Sequence, residues 1–174
     1  MRCLLDKVTA RHIMGGLVKL SEGRSTTDAE SFALDLYNRA APSGIALFIL
    51  PQTEHVLGYL ERLPHYAPLI LLFRSQTQVT YPTRYFKRWA RRLRDYGFTR
   101  EDACVLAIAT FGTTSAADVL GMDVVATFDQ PMINQWEARQ TAIATRLGDM
   151  LRNLREPYCH APKPLVQRPE DILA

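Results

Sequence analysis

Four acidic residues stand where the chain leaves an apolar strand or enters a helix: Asp6, Glu54, Asp102 and Asp129. Asp6 and Asp129 each follow a short apolar run, and Glu54 and Asp102 fall in the first turns of predicted helices. Carboxylate oxygens are the hard ligands that Mg²⁺ and Mn²⁺ prefer, and carboxylates gathered without a cation repel one another. The four residues therefore predict a divalent-metal site, provided that the fold gathers them.

Taken singly, each of these carboxylates has a simpler explanation. A carboxylate in the first turn of a helix favours the helix dipole by roughly 0.3–1 kcal/mol, which is enough to explain Glu54 or Asp102. An Asp after a strand is often only a turn residue, which is enough to explain Asp6 or Asp129. The metal-site prediction depends on all four converging at one edge of a sheet.

A second cluster that could do chemistry is basic. Between residues 84 and 94, six of eleven positions are Lys or Arg: Arg84, Lys87, Arg88, Arg91, Arg92 and Arg94. Trp89 and Leu93 would anchor the opposite face of this helix, so the charges would point to solvent. Clustered arginines commonly contact phosphates, and their density here exceeds what solubility requires. Phosphate contact, a solvated surface and an acidic protein partner stay open as its use.

Alternating apolar strands and amphipathic helices would position these residues. Apolar runs predict strands at residues 2–5, 45–50, 76–81 and 123–128. Helical spacing and capping residues predict helices at 8–20, from 27, 51, 82 and 99 onward, and from 131 to about 154. Residues 68–73 fit either a strand or a buried helix. The alternation favours an α/β fold with an open, mainly parallel sheet flanked by helices on both faces, where ligands bind beyond the carboxyl ends of the strands.

The composition is that of one folded domain. The chain has 174 residues, of which 47% are apolar and 22% charged, with a net charge of +3. Residues 1–155 are predicted to form this domain, and residues 156–174, with four prolines, an extended tail that is laid on the body or loose. The three cysteines show no metal-ligand spacing, and no signal peptide or membrane-spanning stretch is recognised. A cytoplasmic location without membrane contact is therefore expected.

Four segments resemble PIN-domain proteins, in the order in which that family has them. They are Leu4-Leu5-Asp6, Thr53-Glu54-His55-Val56-Leu57, Glu101-Asp102-Ala103-Cys104-Val105-Leu106-Ala107 and Val124-Val125-Ala126-Thr127-Phe128-Asp129. The last segment, with the pattern hydrophobic-hydrophobic-x-Thr-x-Asp, is the most specific, and the resemblance covers roughly residues 1–135. It implies a PIN-like three-layer fold and Mg²⁺- or Mn²⁺-dependent cleavage of RNA phosphodiesters, as in toxins of toxin–antitoxin pairs or in RNA processing.

The resemblance also implies roles for individual residues. Asp6, Asp102 and Asp129 would hold the metal, and Glu54 would bind a second ion or orient the attacking water. Thr127 would orient a carboxylate or a water, although a β-branched strand residue needs no such role. The basic residues expected to contact RNA are Lys7, Arg84, Lys87, Arg88, Arg91 and Arg92.

Lys7 and Val8 depart from the family pattern, which usually has a small polar residue followed by Asn at these positions. The segment from Gly112 to Gly121 is also longer than in many members. A lysine beside a metal ligand can contact the phosphate or replace positive charge that the metal would supply. The alternative function is therefore a catalytically weakened PIN-like module that binds RNA or an antitoxin-like protein partner. A homodimer is a further alternative for its assembly.

Overall fold

Seven short strands follow one another in the part of the chain that the computed structural model describes, residues 1–115 and 120–173. They are β1 (Arg2–Leu5), β2 (Ala46–Ile49), β3 (Thr77–Val79), β4 (Tyr81–Pro82), β5 (Gly112–Thr113), β6 (Val124–Ala126) and β7 (Leu165–Gln167). Five of them form one sheet in the order β3-β2-β1-β6-β7, with every pairing parallel. The first strand is therefore central. Strands β4 and β5 form a separate antiparallel pair.

Helices connect these strands. Within the described residues they are α1 (Lys7–Ser21), α2 (Asp28–Ala40), α3 (Pro51–Leu60), α4 (Ala67–Ser75), α5 (Phe86–Arg94), α6 (Arg100–Phe111) and α7 (Gln130–Leu151). Side-chain caps explain why several begin where they do. Asp6, Thr99 and Asp129 each accept a backbone N–H of the first turn, and Thr27 forms a reciprocal capping box with Glu30. None of these helices, within residues 1–115 and 120–173, is both long and apolar enough to cross a membrane.

The helices cover both faces of the sheet. Successive strand residues point to opposite faces, so a sheet covered on both sides needs apolar side chains on both. Leu4, Phe48 and Val125 pack with helices α5, α6 and α7 on one face. On the other face, the buried strand residues pack with helices α1, α2 and α4; they are Cys3, Leu5, Leu47, Ile49, Val124 and Ala126. The predicted α/β class with helices on both faces of a parallel sheet is confirmed.

The structure corrects one local prediction and decides another that was left open. Helix α5 begins at Phe86, not at Pro82, because Tyr81–Pro82 pairs with Gly112–Thr113. Residues 68–73, which fitted either a strand or a helix, lie within helix α4. The long segment between Gly112 and Gly121 includes residues 116–119, which lie outside the described residues.

The C-terminal tail adds a strand to the sheet. Strand β7 pairs in parallel with β6, and its Val166 is buried in the core. The tail therefore lies along the body of the protein as far as residue 173, while Ala174 is outside the described residues. The sheet that carries the candidate site has its fifth strand only because of this tail.

Candidate functional site

A cavity of about 580 Å³ opens at the carboxyl edge of the sheet. Asp6 faces it from the end of β1, Asp102 from the first turn of α6, and Asp129 from the start of α7. Strands β1 and β6 are parallel neighbours, so their carboxyl ends bring Asp6 and Asp129 to the same edge. The structure therefore brings three of the four predicted carboxylates to one cavity.

Asp6 is the most enclosed of these carboxylates, with 5% of its surface exposed. One oxygen accepts the backbone N–H of Thr9 at 2.6 Å, and the other accepts the hydroxyl of Thr127 at 2.5 Å. Among the described residues, no Lys, Arg or His forms an ion pair with it. Burial raises the pKa of Asp6, and the hydrogen bonds from Thr127 and Thr9 only partly offset that rise.

Thr127 connects two of the aspartates. Its hydroxyl is fully buried, donates to Asp6, and accepts the backbone N–H of Asp129 at 3.0 Å. The Asp129 carboxylate in turn accepts the backbone N–H of Met132 at 3.0 Å, as the cap of helix α7. A single hydroxyl thus orients the Asp6 carboxylate and holds the backbone that carries Asp129.

Asp102 is held by a local cap. Its carboxylate accepts the Thr99 hydroxyl at 2.7 Å, and its backbone N–H donates to the same hydroxyl oxygen at 3.1 Å. Both bonds are exposed to solvent and lie within one helical turn. They place Asp102 at the cavity without burying it.

Glu54 does not line this cavity. Arg74 of helix α4 donates to both of its oxygens, at 2.6 and 3.3 Å, and also donates to Glu61 at 2.6 Å. The expectation that all four carboxylates converge is therefore corrected for Glu54. The physical reason is the packing of α3 beside α4, which brings a guanidinium to this carboxylate and satisfies its charge.

Lys7 and Glu101 form an ion pair that lines the same cavity. Lys7 is the first residue of helix α1, directly after Asp6, and Glu101 directly precedes Asp102 in the first turn of α6, so the pair joins the starts of the two helices. Both side chains are about 60% exposed, which makes the pair weak. Glu101 and Arg100, which also lines the cavity, were not predicted as site residues; their only signal was adjacency to Asp102.

The donor chemistry of the cavity fits a divalent cation, but its side chains are not preassembled as a metal site. Within the described ranges, no group of three or more His, Cys, Asp or Glu side chains could hold a metal ion. Asp6, Asp102 and Asp129 nevertheless offer hard oxygen donors to one cavity, and the buried Asp6 carboxylate lacks a cationic partner there. The residues that would hold Mg²⁺ or Mn²⁺ are these three.

The basic helix α5 exposes its charges, because Trp89 and Leu93 are fully buried on its inner side. The basic residues on its outer sides are Lys87, Arg88, Arg91, Arg92 and Arg94, of which Arg92 is half-buried; Arg84 is exposed in the turn before the helix. Two of them meet a third arginine, Arg146 of helix α7, in a separate cavity. Sequence reasoning missed Arg146, since a single arginine in a long helix carries no local signal.

Removing the charge of Asp6 is expected to stabilise the metal-free protein near neutral pH. The folded-state pKa of Asp6 is raised, so its contribution to stability is fully present below the ordinary Asp pKa and is lost as pH rises through the raised value. Asp6→Asn carries no such charge and can still cap helix α1. In EDTA near neutral pH, its melting temperature should exceed that of the wild type. The increase should be about 2–4 °C for each kcal/mol gained in the free energy of unfolding.

The pH dependence is the control for this prediction. The difference in melting temperature between Asp6→Asn and wild type should shrink as the pH falls towards about 4. Asp28→Asn, an exposed aspartate of helix α2, should show no such pH-dependent gain. An Asp6→Asn protein that melts below the wild type near neutral pH would contradict the argument.

Comparison with models of known protein families and with curated protein sequences found no match to this chain, so its geometry and motifs carry the functional argument.

Proposed function

We propose that this chain is a PIN-like ribonuclease that hydrolyses RNA phosphodiesters with Mg²⁺ or Mn²⁺ held by Asp6, Asp102 and Asp129. The observation that carries the proposal is the buried Asp6 carboxylate at the carboxyl edge of the sheet. It shares a cavity with two further aspartates and has no cationic partner among the described residues. A buried carboxylate without a counter-charge is unfavourable, and a bound cation would remove that cost.

The residues of the chain have distinct parts in this proposal. A divalent ion held by Asp6, Asp102 and Asp129 would supply polarisation of the scissile phosphate and a lower pKa for the attacking water. Asp6, Asp102 and Asp129 supply the negative charge that holds the ion. Thr127 keeps the Asp6 carboxylate in one orientation through its buried hydroxyl. Lys7 lines the cavity, where its ammonium can exchange Glu101 for a phosphate of the substrate.

Cleavage assays with the full chain test the proposal. Labelled single-stranded and hairpin RNAs are incubated with the protein in Mg²⁺, in Mn²⁺ and in EDTA. Cleavage that requires the metal and stops in EDTA is expected, because the aspartates supply ligands but no nucleophile of their own. Equal inertness towards both RNAs in both metals would contradict the proposal.

A second candidate is a catalytically weakened module that binds RNA. Two observations favour it: the Lys7–Glu101 ion pair lies in the cavity, and no three-ligand group is preassembled among the described residues. An ammonium beside the aspartates repels an incoming cation. The two candidates differ in what Lys7 does.

Lys7→Ser is expected to raise the affinity for Mn²⁺ by about fivefold. The substitution removes a positive charge that repels the cation from the cavity. Because Lys7 is exposed to solvent, this repulsion is worth about 1 kcal/mol. Titration calorimetry with Mn²⁺ measures the change, and Lys163→Ser, which lies in the tail, is the matched control.

Cleavage by the same variant then separates the candidates. If Lys7 only opposes the metal, Lys7→Ser should cleave RNA faster than the wild type. Unchanged Mn²⁺ affinity combined with slower cleavage would instead show that Lys7 contacts the phosphate, and it would contradict the repulsion argument.

A further inference from the structure

A second cavity, of about 230 Å³, lies between helices α5 and α7 and is lined by three arginines. Arg88 and Arg92 come from α5, where residues four apart share a face. Arg146 comes from α7 and faces the same space. The rest of the wall consists of Asp149, Met150 and Asn153.

Helix α5 divides its basic residues into two stripes. Trp89 and Leu93 are buried, and the helix turns Arg88 and Arg92 to one side of them, towards α7. The residues on the other side, which we call the outer stripe, are Lys87, Arg91 and Arg94. The outer stripe carries the same charge as the three arginines of the cavity but does not line it.

The cavity has an excess of positive charge. Its lining side chains carry three positive charges and one negative charge, a net of +2. The negative charge, Asp149, is already bound by Arg152. Arg92 has only a long contact with Asp95, at 3.7 Å, and within the described residues neither Arg88 nor Arg146 forms an ion pair. Three guanidinium groups around one space repel one another unless an anion separates them.

We propose that Arg88, Arg92 and Arg146 together bind one backbone phosphodiester of an RNA strand. Guanidinium groups are planar forks that match phosphate oxygens, and several of them around one phosphate give short charge-assisted hydrogen bonds. The Asn153 amide in the same wall offers a further donor. The choice of RNA as the source of the phosphate rests on the proposed function.

This site is separate from the carboxylate cavity. Asp129 caps the first turn of α7, and Arg146 lies seventeen residues further along, which corresponds to about 25 Å of helix. A phosphate bound by Arg146 is therefore not the scissile one. The three arginines anchor the strand at a distance, and the carboxylate cavity receives another part of it.

Binding measured without metal tests the proposal, because cleavage cannot then interfere. The affinity of the full chain for a short labelled single-stranded RNA is followed by fluorescence anisotropy in EDTA. The triple variant Arg88→Ala, Arg92→Ala, Arg146→Ala should bind at least about tenfold more weakly than wild type. The matched control is Lys87→Ala, Arg91→Ala, Arg94→Ala, which removes the same charge from the outer stripe and should lose less affinity.

The salt dependence separates one shared phosphate from three separate ones. For single strands, the slope of log K against log salt falls by about 0.7 for each phosphate contact that is lost. The cavity triple should therefore lower the slope by about 0.7 in spite of its large loss of affinity, whereas three independent contacts would lower it by about 2. Arg88→Ala and Arg146→Ala should also be non-additive, since they would bind the same group.

Several results would overturn the proposal. One is an equal loss of RNA affinity in the two triple variants, and another is additive losses of affinity for Arg88→Ala and Arg146→Ala. RNA binding that depends on a 5′-phosphate would indicate a terminal phosphate as the ligand, and RNA binding that is displaced by inorganic phosphate would indicate free phosphate. Arg146→Lys, which keeps the charge and the fold, should restore part of the affinity of Arg146→Ala, and failure to do so would also count against the site.

The same measurements separate this proposal from the proposed function. A chain that binds RNA through the three arginines but cleaves nothing would contradict hydrolysis and leave the phosphate site standing. A chain that cleaves RNA, but whose cavity triple is folded by circular dichroism and binds like wild type, would overturn the phosphate site alone.

Discussion

Asp6→Asn and Asp129→Asn are each expected to lower metal-dependent RNA cleavage by at least about 100-fold, because each removes a charge on which the cation depends. Each substitution keeps the size and shape of the side chain. Both aspartates are also helix caps, and Asn caps helices as well as Asp does. The loss of activity should therefore occur in folded proteins.

Initial rates of RNA cleavage in Mn²⁺ measure this effect, with thermal melting as the check on folding. Asp28→Asn is the matched control, because it makes the same chemical change at an exposed position that does not line the cavity. Folded Asp6→Asn and Asp129→Asn proteins that cleave at the wild-type rate would exclude these aspartates from the metal site. Taken with the higher melting temperature expected for Asp6→Asn, a full loss of activity would show that the buried charge serves function at a cost in stability.

Trp89→Ala is expected to destabilise the protein by about 3–5 kcal/mol. The indole is fully buried where helix α5 packs on α6, in the core on one face of the sheet. Its removal leaves a cavity that the surrounding helices cannot fill completely. Denaturant unfolding followed by circular dichroism measures the change in the free energy of unfolding.

Trp89→Phe and Lys87→Ala are the control variants for this measurement. Within the described residues the indole Nε1 has no hydrogen-bond partner, so Phe loses volume without losing a hydrogen bond and should cost clearly less than Ala. Lys87→Ala, on the exposed side of the same helix, should change stability by less than about 0.5 kcal/mol. A Trp89→Ala change as small as that of Lys87→Ala would show that α5 is not anchored by its buried side.

Local sequence patterns were enough to predict several of the strands and helix starts. The apolar runs that became β1, β2 and β6 lack alternation because both of their faces are covered, and this can be recognised from composition alone. Thr27 and Thr99 start helices through bonds within one turn, which depend only on neighbours in the chain. Asp6 and Asp129 could be placed at one edge because parallel strands share the direction of their carboxyl ends.

The tertiary structure decided which charges meet, because that depends on how helices pack and not on their periodicity. Glu54 has the sequence position of a site residue, yet Arg74, twenty residues away, binds it across the contact of α3 with α4. Arg146 has no local pattern, yet the tertiary structure brings it to the same cavity as Arg88. The sequence by itself determined β1, β2, β3 and β6, the helix caps and the aspartates that follow the strands. Long-range packing added β7 from the tail, and it decided that three carboxylates share one cavity and three arginines another.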